Sequence, residues 1–198
     1  MKLLLSGVVG YLIGSASFSV ILSRRIFHQD VRTMGSGNAG ATNVARSFGW
    51  LPGLAVFAAD LLKCLLALWL GKRLGGAWGQ TAAGIGCVIG HCYPLYYKFR
   101  GGKAVTTGTA IALMLGWRLF LPLFGVFLVL VLLTRYVSLG SVCASLALIA
   151  AALLIPLPKS ELVLALFVGC AVILRHRENI DRLLHGRETK FKAGKTQR

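Results

Sequence analysis

The sequence predicts an all-α, polytopic integral membrane protein with seven transmembrane helices, its N-terminus outside the cell and its C-terminus in the cytoplasm. Of the 198 residues, 56% are hydrophobic and only 14% are charged, whereas about 25% are charged in an ordinary soluble domain. The mean hydropathy is +0.73, and the apolar residues occur in blocks, which is typical of membrane-spanning segments. These observations exclude a disordered chain and a soluble globular domain, and they favour a single transmembrane domain over residues 1–198.

Seven apolar segments follow one another along the chain, at residues 3–22, 51–70, 77–93, 104–115, 119–133, 139–155 and 161–174. A full crossing needs about 20 residues. The third segment is rich in Gly and Ala, and the fourth is short and contains three threonines, so we expect these two to be tilted, short or re-entrant. The first segment lacks a clear signal-peptide cleavage site and is predicted to remain as a span.

The distribution of basic residues favours seven spans over five. With seven spans and the N-terminus outside, 16 Lys and Arg residues lie in cytoplasmic segments and five lie outside. Without the third and fourth spans, the numbers become 13 and eight. The positive-inside rule therefore favours seven spans.

The net charge of +16 would suggest a nucleic-acid partner in a soluble protein. In a membrane protein it is explained by topogenic charge and by contact with anionic lipid, and it also suits a highly anionic small substrate. We therefore predict a membrane lipid partner and no nucleic acid. The five cysteines are odd in number and form no Cys-x-x-Cys pair, which favours packed, reduced thiols and argues against a metal site.

Four unusual polar stretches, at residues 34–49, 98–109, 134–141 and 175–182, all fall on the cytoplasmic side of this topology. In the first stretch, three glycines within six residues allow backbone N–H groups to converge on a phosphate, although a flexible loop without a ligand is the alternative. Its candidate residues are Gly35, Ser36, Gly37, Asn38, Gly40, Thr42, Asn43 and Arg46.

The second stretch has the composition of an anion-binding helix N-terminus. Gly101, Gly102 and Lys103 precede the predicted start of a helix whose first turn contains Thr106. Free N–H groups and the helix dipole favour an anion at such a place. Tyr97 stands where a Walker A loop has its first glycine, which argues against a nucleotide triphosphate, and a lysine snorkelling at the membrane edge is the alternative.

The last stretch follows the seventh span, where a basic membrane-facing tail is the alternative to a site. His176 and Asn179 are three residues apart and therefore share one helix face. His176 and Asp181 match an H-x4-D acyltransferase pattern, but their side chains would point about 140° apart on a helix.

Smaller polar signals lie within or beside the spans. In the second span, Asp60 and Lys63 are expected to form an ion pair that braces the cytoplasmic site. Ser138 and Ser141 enter the sixth span, where they either cap the helix or touch a ligand. His91 is predicted to be structural.

Four motifs resemble those of the bacterial acyl-phosphate:glycerol-3-phosphate acyltransferases of the PlsY family: GSGNAGATN at 35–43, FRGGKAV at 99–105, RYVSLGS at 135–141 and RHRENI at 175–180. The resemblance covers the whole chain. It implies a monomeric, seven-helix enzyme of the bacterial inner membrane, without metal or cofactor, that makes lysophosphatidic acid from acyl-phosphate and glycerol 3-phosphate and does not use acyl-CoA. The implied site residues are Ser36, Arg46, Lys103, Ser141, His176 and Asn179.

The predicted chemistry agrees with the residues themselves, because both substrates bring a phosphate group. We expect Arg46 and Lys103 to neutralise phosphate, and the polar groups of Ser36, Ser141 and Asn179 to orient the substrates. His176 is either a phosphate ligand or a proton acceptor, and a substrate phosphate could itself take the proton. We favour the ligand role, because an acyl-phosphate makes modest demands on a base.

Two other classes of protein would also need anion-binding loops in a helical bundle. An organic-phosphate transporter usually shows internal repeats and a site near the membrane midplane, and neither is evident. An enzyme acting on lipid-linked nucleotides usually holds a metal with carboxylates, but the chain has only six acidic residues.

Overall fold

The computed structural model describes residues 1–192, which form nine α-helices and contain no β-strand. This confirms the all-α prediction. The five cysteines are free thiols, and three of them are buried. The helices are α1 (Lys2–Gly14), α2 (Phe18–Ile26), α3 (Ala41–Phe48), α4 (Trp50–Cys92), α5 (Val105–Leu115), α6 (Trp117–Thr134), α7 (Val137–Leu154), α8 (Lys159–Arg175) and α9 (Arg177–Leu184).

Within these residues, four segments are long and apolar enough to cross a membrane: Lys2–Ile26, Trp50–Tyr97, Trp117–Thr134 and Val137–Leu154. Helix α5 has only 11 residues, so at a rise of 1.5 Å per residue it is about 16 Å long. That is roughly half the hydrocarbon thickness of a bilayer. The predicted fourth span is therefore a short helix, as its sequence led us to expect.

Helix α4 is two helices joined at a tight bend. Gly75 and Gly76 leave helical geometry, and Gly76 has a φ of +63°. A Cβ atom on Gly71 would lie 2.5 Å from the carbonyl oxygen of Gly79, so the two arms run side by side next to the bend. These arms correspond to the predicted second and third spans.

The glycines of the second arm of α4 are explained by its contact with α1. A Cβ atom on Gly86 would lie 2.1 Å from the carbonyl oxygen of Gly7, and one on Gly90 would lie 2.2 Å from that of Tyr11. Small residues let two membrane helices approach this closely. The composition that weakens the hydropathy signal of the third span is therefore what its packing requires.

Two boundaries differ from the prediction. The first span is not continuous, because α1 ends at Gly14 and α2 begins at Phe18, with the buried Ser15 and Ser17 between them. In the first polar stretch, the Gly-rich loop ends at Gly40, which is the N-cap of α3. The second half of that stretch is thus a helix packed against α4.

Candidate active site

One cleft, with a volume of about 360 Å³, brings together residues from all four polar stretches. It lies where the loop before α3, the start of α5, the start of α7 and the junction between α8 and α9 meet. Twelve of the predicted site residues line it: Gly35, Ser36, Asn38, Gly40, Thr42, Asn43, Arg46, Lys103, Thr106, Ser141, His176 and Asn179.

The side chain of Asn43 organises the Gly-rich loop. Its Oδ1 accepts a hydrogen bond from the backbone N–H of Ser36 at 2.9 Å, and its Nδ2 donates to three loop carbonyl groups at 2.9–3.1 Å. Asn43 is only 1% exposed, so its polar atoms form hydrogen bonds within the loop. The sequence had led us to expect that they would bind a substrate. Gly37 donates its N–H to the carbonyl of Met34 at 2.8 Å and does not line the cleft.

Gly101 and Gly102 also lie outside the cleft lining, which differs from the predicted anion loop. Their N–H groups donate to the carbonyl groups of Cys92 and His91 at 3.2 and 3.0 Å, so they are already occupied. A Cβ atom on Gly101 would lie 2.1 Å from the carbonyl oxygen of His91, and one on Gly102 would lie 2.2 Å from His91 Nε2. The glycines therefore allow the loop to pack on the end of α4 and hold Lys103 at the cleft.

Arg46 and Lys103 are cleft cations that have no ion-pair partner within residues 1–192. The Nε atom of Arg46 is buried and makes no hydrogen bond. Lys103 Nζ donates to Asn179 Oδ1, and burial, followed by the charge of Arg182, lowers the pKa of Lys103. Uncompensated cations at a cleft are suited to an anionic ligand, because charge-assisted hydrogen bonds would satisfy them.

His176 lies at the junction of α8 and α9 and is 4% exposed. Its Nδ1 is 2.7 Å from the carbonyl oxygen of Val172. A carbonyl oxygen only accepts, so Nδ1 carries the proton and Nε2 is an acceptor. Burial, together with the positive charge of Lys103, lowers the pKa of His176 to about 4, so the imidazole is neutral at pH 7.

Glu188 is a cleft residue that the sequence analysis did not identify. Its Oε1 accepts hydrogen bonds from Ser138 Oγ and Asn179 Nδ2, both at 2.7 Å, and its Oε2 accepts from Arg182 Nε at 2.8 Å. Burial acts to raise the pKa of Glu188, but these hydrogen bonds outweigh it and lower the pKa. Glu188 thus fixes the Asn179 amide with Oδ1 turned toward Lys103.

An apolar groove of about 110 Å³ adjoins the cleft. The two cavities share Phe57, Val105, Phe127 and Ser141. The rest of the groove is lined mostly by apolar side chains of α5, α6, α7 and α8. A ligand with a charged head and a hydrocarbon tail would therefore find matching surfaces side by side.

Comparisons with known proteins agree with one another. The sequence profile of the glycerol-3-phosphate acyltransferase family matches residues 4–186. The chain belongs to the glycerol-3-phosphate acyltransferase family. A glycerol-3-phosphate acyltransferase of Finegoldia magna is 39% identical over 193 residues, which cover 96% of this chain and 97% of that protein. One of Syntrophomonas wolfei is 44% identical over 186 residues, which cover 93% and 94%.

Two solved structures of a glycerol-3-phosphate acyltransferase have the same fold as this chain. The glycerol 3-phosphate form of PlsY, an integral membrane glycerol 3-phosphate acyltransferase, matches with a TM-score of 0.90 and 36% identity, over 97% of this chain and 96% of that one. The lysophosphatidic acid form matches with a TM-score of 0.85 and 35% identity. The family assignment therefore identifies an integral membrane acyltransferase and sets aside the transporter alternative.

In this glycerol-3-phosphate acyltransferase, we expect Glu188→Gln to lower the free energy of unfolding by about 1.5–3 kcal/mol, because it weakens hydrogen bonds to a charged group. The lowered pKa means that the carboxylate contributes stability above its unfolded-state pKa, and that this contribution is lost as the pH falls through the folded-state value. Thermal unfolding of purified protein measures the effect, with the exposed Glu178→Gln as the control. Equal unfolding temperatures for the two variants would contradict the role given to Glu188.

Proposed function

We propose that this glycerol-3-phosphate acyltransferase moves a fatty acyl group from acyl-phosphate to the 1-hydroxyl of sn-glycerol 3-phosphate, and releases lysophosphatidic acid and inorganic phosphate. The observation that carries the proposal is the junction of the cleft with the apolar groove. The cleft offers the uncompensated cations of Arg46 and Lys103, and the groove offers hydrocarbon surface for an acyl chain. Two phosphate-bearing substrates, one of them acylated, need both surfaces.

Acyl-phosphate suits this cleft better than a thioester does. Its leaving group is a compact phosphate attached to the reacting carbonyl, where Arg46 and Lys103 can stabilise the charge that develops in the transition state. A thioester brings no phosphate to that carbonyl, so the electrostatic contribution of the cations would be misplaced. The glycerol 3-phosphate and lysophosphatidic acid forms of PlsY support the proposed acceptor and product.

In the proposed reaction, the 1-hydroxyl oxygen of glycerol 3-phosphate attacks the carbonyl carbon of the acyl-phosphate. A new ester C–O bond forms, the C–O bond to the phosphate breaks, and the electron pair leaves with the phosphate. Acyl-phosphate is already an activated mixed anhydride, so the residues mainly orient the reactants and neutralise their charge. We assign charge neutralisation to Arg46 and Lys103, and orientation to Ser36, Ser141 and Asn179.

In contrast to the preference from the sequence, the tautomer of His176 favours the role of hydroxyl acceptor over that of phosphate ligand. Its Nδ1 is engaged with the carbonyl of Val172 at 2.7 Å, which leaves Nε2 as a lone-pair acceptor. An unprotonated phosphate oxygen is also an acceptor and would gain nothing from this atom. The substrate hydroxyl is a donor, so His176 Nε2 can orient it and receive its proton, which then passes to the leaving phosphate.

We also propose the topology that positions this site. Segment 2–26, the two arms of α4, and helices α5 to α8 make seven membrane segments, with the N-terminus outside and the cleft facing the cytoplasm of a bacterial inner membrane. The positive-inside distribution of charge supports this orientation. We also propose the monomer as the functional unit, since the four polar stretches of a single chain come together at the cleft. The cytoplasmic placement of residues 193–198 lies outside the described residues.

Cysteine labelling in intact cells tests the topology. In a background without the five native cysteines, Arg25→Cys and Arg100→Cys should resist an impermeant thiol reagent, whereas Lys72→Cys should react. All three positions are exposed, so access depends on the side of the membrane. Labelling of Arg100→Cys but not of Arg25→Cys would support five spans and contradict a shared cytoplasmic cleft.

A comparison of donors tests the reaction. Purified protein receives radiolabelled glycerol 3-phosphate with either palmitoyl phosphate or palmitoyl-CoA. We expect lysophosphatidic acid only from palmitoyl phosphate, with an equal amount of inorganic phosphate. Comparable turnover of palmitoyl-CoA would overturn the donor assignment.

A further inference from the structure

Asp60, Lys63 and His91 form a buried cluster between the break in the first span and the cleft. Their exposed fractions are 1%, 5% and 6%. Lys63 Nζ lies 2.7 Å from Asp60 Oδ1 and 3.3 Å from His91 Nδ1, and it donates to the carbonyl of Ala16 at 2.6 Å. An ammonium group only donates, so His91 Nδ1 accepts, and the neutral ring carries its proton on Nε2. The ion pair expected from the sequence therefore also fixes the tautomer and orientation of a histidine.

His91 is the member of the cluster that reaches the cleft. Its ring packs on Gly102, where a Cβ atom would lie 2.2 Å from Nε2, and its carbonyl oxygen accepts the N–H of Gly102 at 3.0 Å. Gly102 directly precedes Lys103, and Ala104 after it has a φ of +61°, a conformation that few L-residues adopt. The backbone conformation of the loop that carries Lys103 is thus narrowly restricted, and this loop packs against His91.

We propose that Asp60, Lys63 and His91 are positioning residues for the acyltransfer reaction, and that they act by placing Lys103. Asp60 forms an ion pair with the Lys63 ammonium, Lys63 donates a hydrogen bond to His91 Nδ1, and the His91 ring packs against Gly102. The inference rests on the role proposed for Lys103. It explains why an ion pair, which is costly inside a membrane segment, is placed against a histidine at the edge of the cleft.

Two His91 variants distinguish the hydrogen bond with Lys63 from the packing contact with Gly102. His91→Phe keeps a ring of similar size but loses the acceptor for Lys63, and His91→Asn keeps an acceptor but loses the ring under Gly102. Both should raise KM for palmitoyl phosphate by about tenfold or more, because Lys103 neutralises the donor phosphate in the proposed reaction and small displacements of a positioned group have large kinetic effects. Wild-type KM in both variants would overturn the proposal.

A variant without the ion pair tests whether the Asp60–Lys63 pair contributes to the low KM of the wild-type enzyme. Asp60→Leu combined with Lys63→Met removes both charges and leaves no orphaned ion, a change that is often neutral or stabilising for a buried pair. We expect the double variant to fold and to show a raised KM. If it folds with wild-type KM, the proposal is overturned; if it does not fold, the two His91 variants decide.

Thr81→Val is the control for a purely structural change. Thr81 is 4% exposed in the same arm of α4, and its Oγ1 donates to the carbonyl of Ser160 at 2.8 Å, away from the cleft lining. It should lower the unfolding temperature without changing KM, whereas the His91 variants should change KM in the folded protein. A KM change of the same size in Thr81→Val would overturn the proposal.

Lys103→Met in the same assay distinguishes the two levels of inference. If it leaves KM and kcat unchanged, the role proposed for Lys103 fails, and the positioning role fails with it. If it lowers activity while both His91 variants keep wild-type KM, only the positioning role is overturned. If all three variants impair the use of palmitoyl phosphate, both inferences are supported.

Discussion

Replacing Lys103 with methionine is expected to lower kcat/KM for glycerol 3-phosphate by about 10- to 100-fold. Methionine keeps the length of the side chain but removes charge-assisted hydrogen bonds, which contribute about 1.5–3 kcal/mol each, and about 1.4 kcal/mol corresponds to a factor of ten. We expect Arg46→Gln to have a similar effect, because its buried Nε has no protein partner. Steady-state acyltransfer from palmitoyl phosphate measures both.

The double variant shows whether the two cations serve one phosphate or two. If they bind separate groups, their effects should multiply, since independent sites have additive free energies. If they share one phosphate, the combined effect should be smaller than the product. The exposed Lys72→Met, at the bend between the arms of α4, is the control, and an equal loss there would show that general charge is responsible.

Hydropathy and charge were sufficient to predict the class of fold, because both depend on local composition. They did not predict the break at 15–17. Its residues are small and only moderately polar, and the carbonyl of Ala16 is stabilised by Lys63, a residue 47 positions away. A contact over that distance has no signature in the local sequence.

The candidate site was predictable where spacing carries the information. His176 and Asn179 are three residues apart, and the structure places both at the cleft. For the glycines at 101 and 102, a motif does not distinguish an N–H group aimed at a ligand from one that packs on a helix end, and in the structure both N–H groups donate to carbonyl groups at the end of α4. Glu188 was missed because the chain must turn back after α9 to bring it to Asn179 and Arg182, and because its third donor, Ser138, is 50 positions away.

His176→Ala is expected to lower kcat by about 10²- to 10⁴-fold, the usual range for the loss of a group that takes part in proton transfer. His176→Gln is the informative companion, because its amide oxygen can accept a hydrogen bond from the substrate hydroxyl but cannot take its proton at neutral pH. Activity well above that of the alanine variant would show that orientation accounts for most of the effect. Equal activity in the two variants would favour proton transfer.

The pH dependence of kcat/KM tests the environment of His176. Because burial lowers its pKa to about 4, the neutral, accepting form persists as the pH falls through 6.5 and is lost only near pH 4. A limb near pH 6 should therefore belong to the substrate phosphate, whose second pKa is about 6, and it should persist in His176→Gln. An acidic limb near pH 6.5 that disappears in His176→Gln would instead show that His176 titrates near its ordinary value. The lowered pKa of the buried imidazole would then have to be abandoned, whereas the role of its neutral form as hydroxyl acceptor would stand.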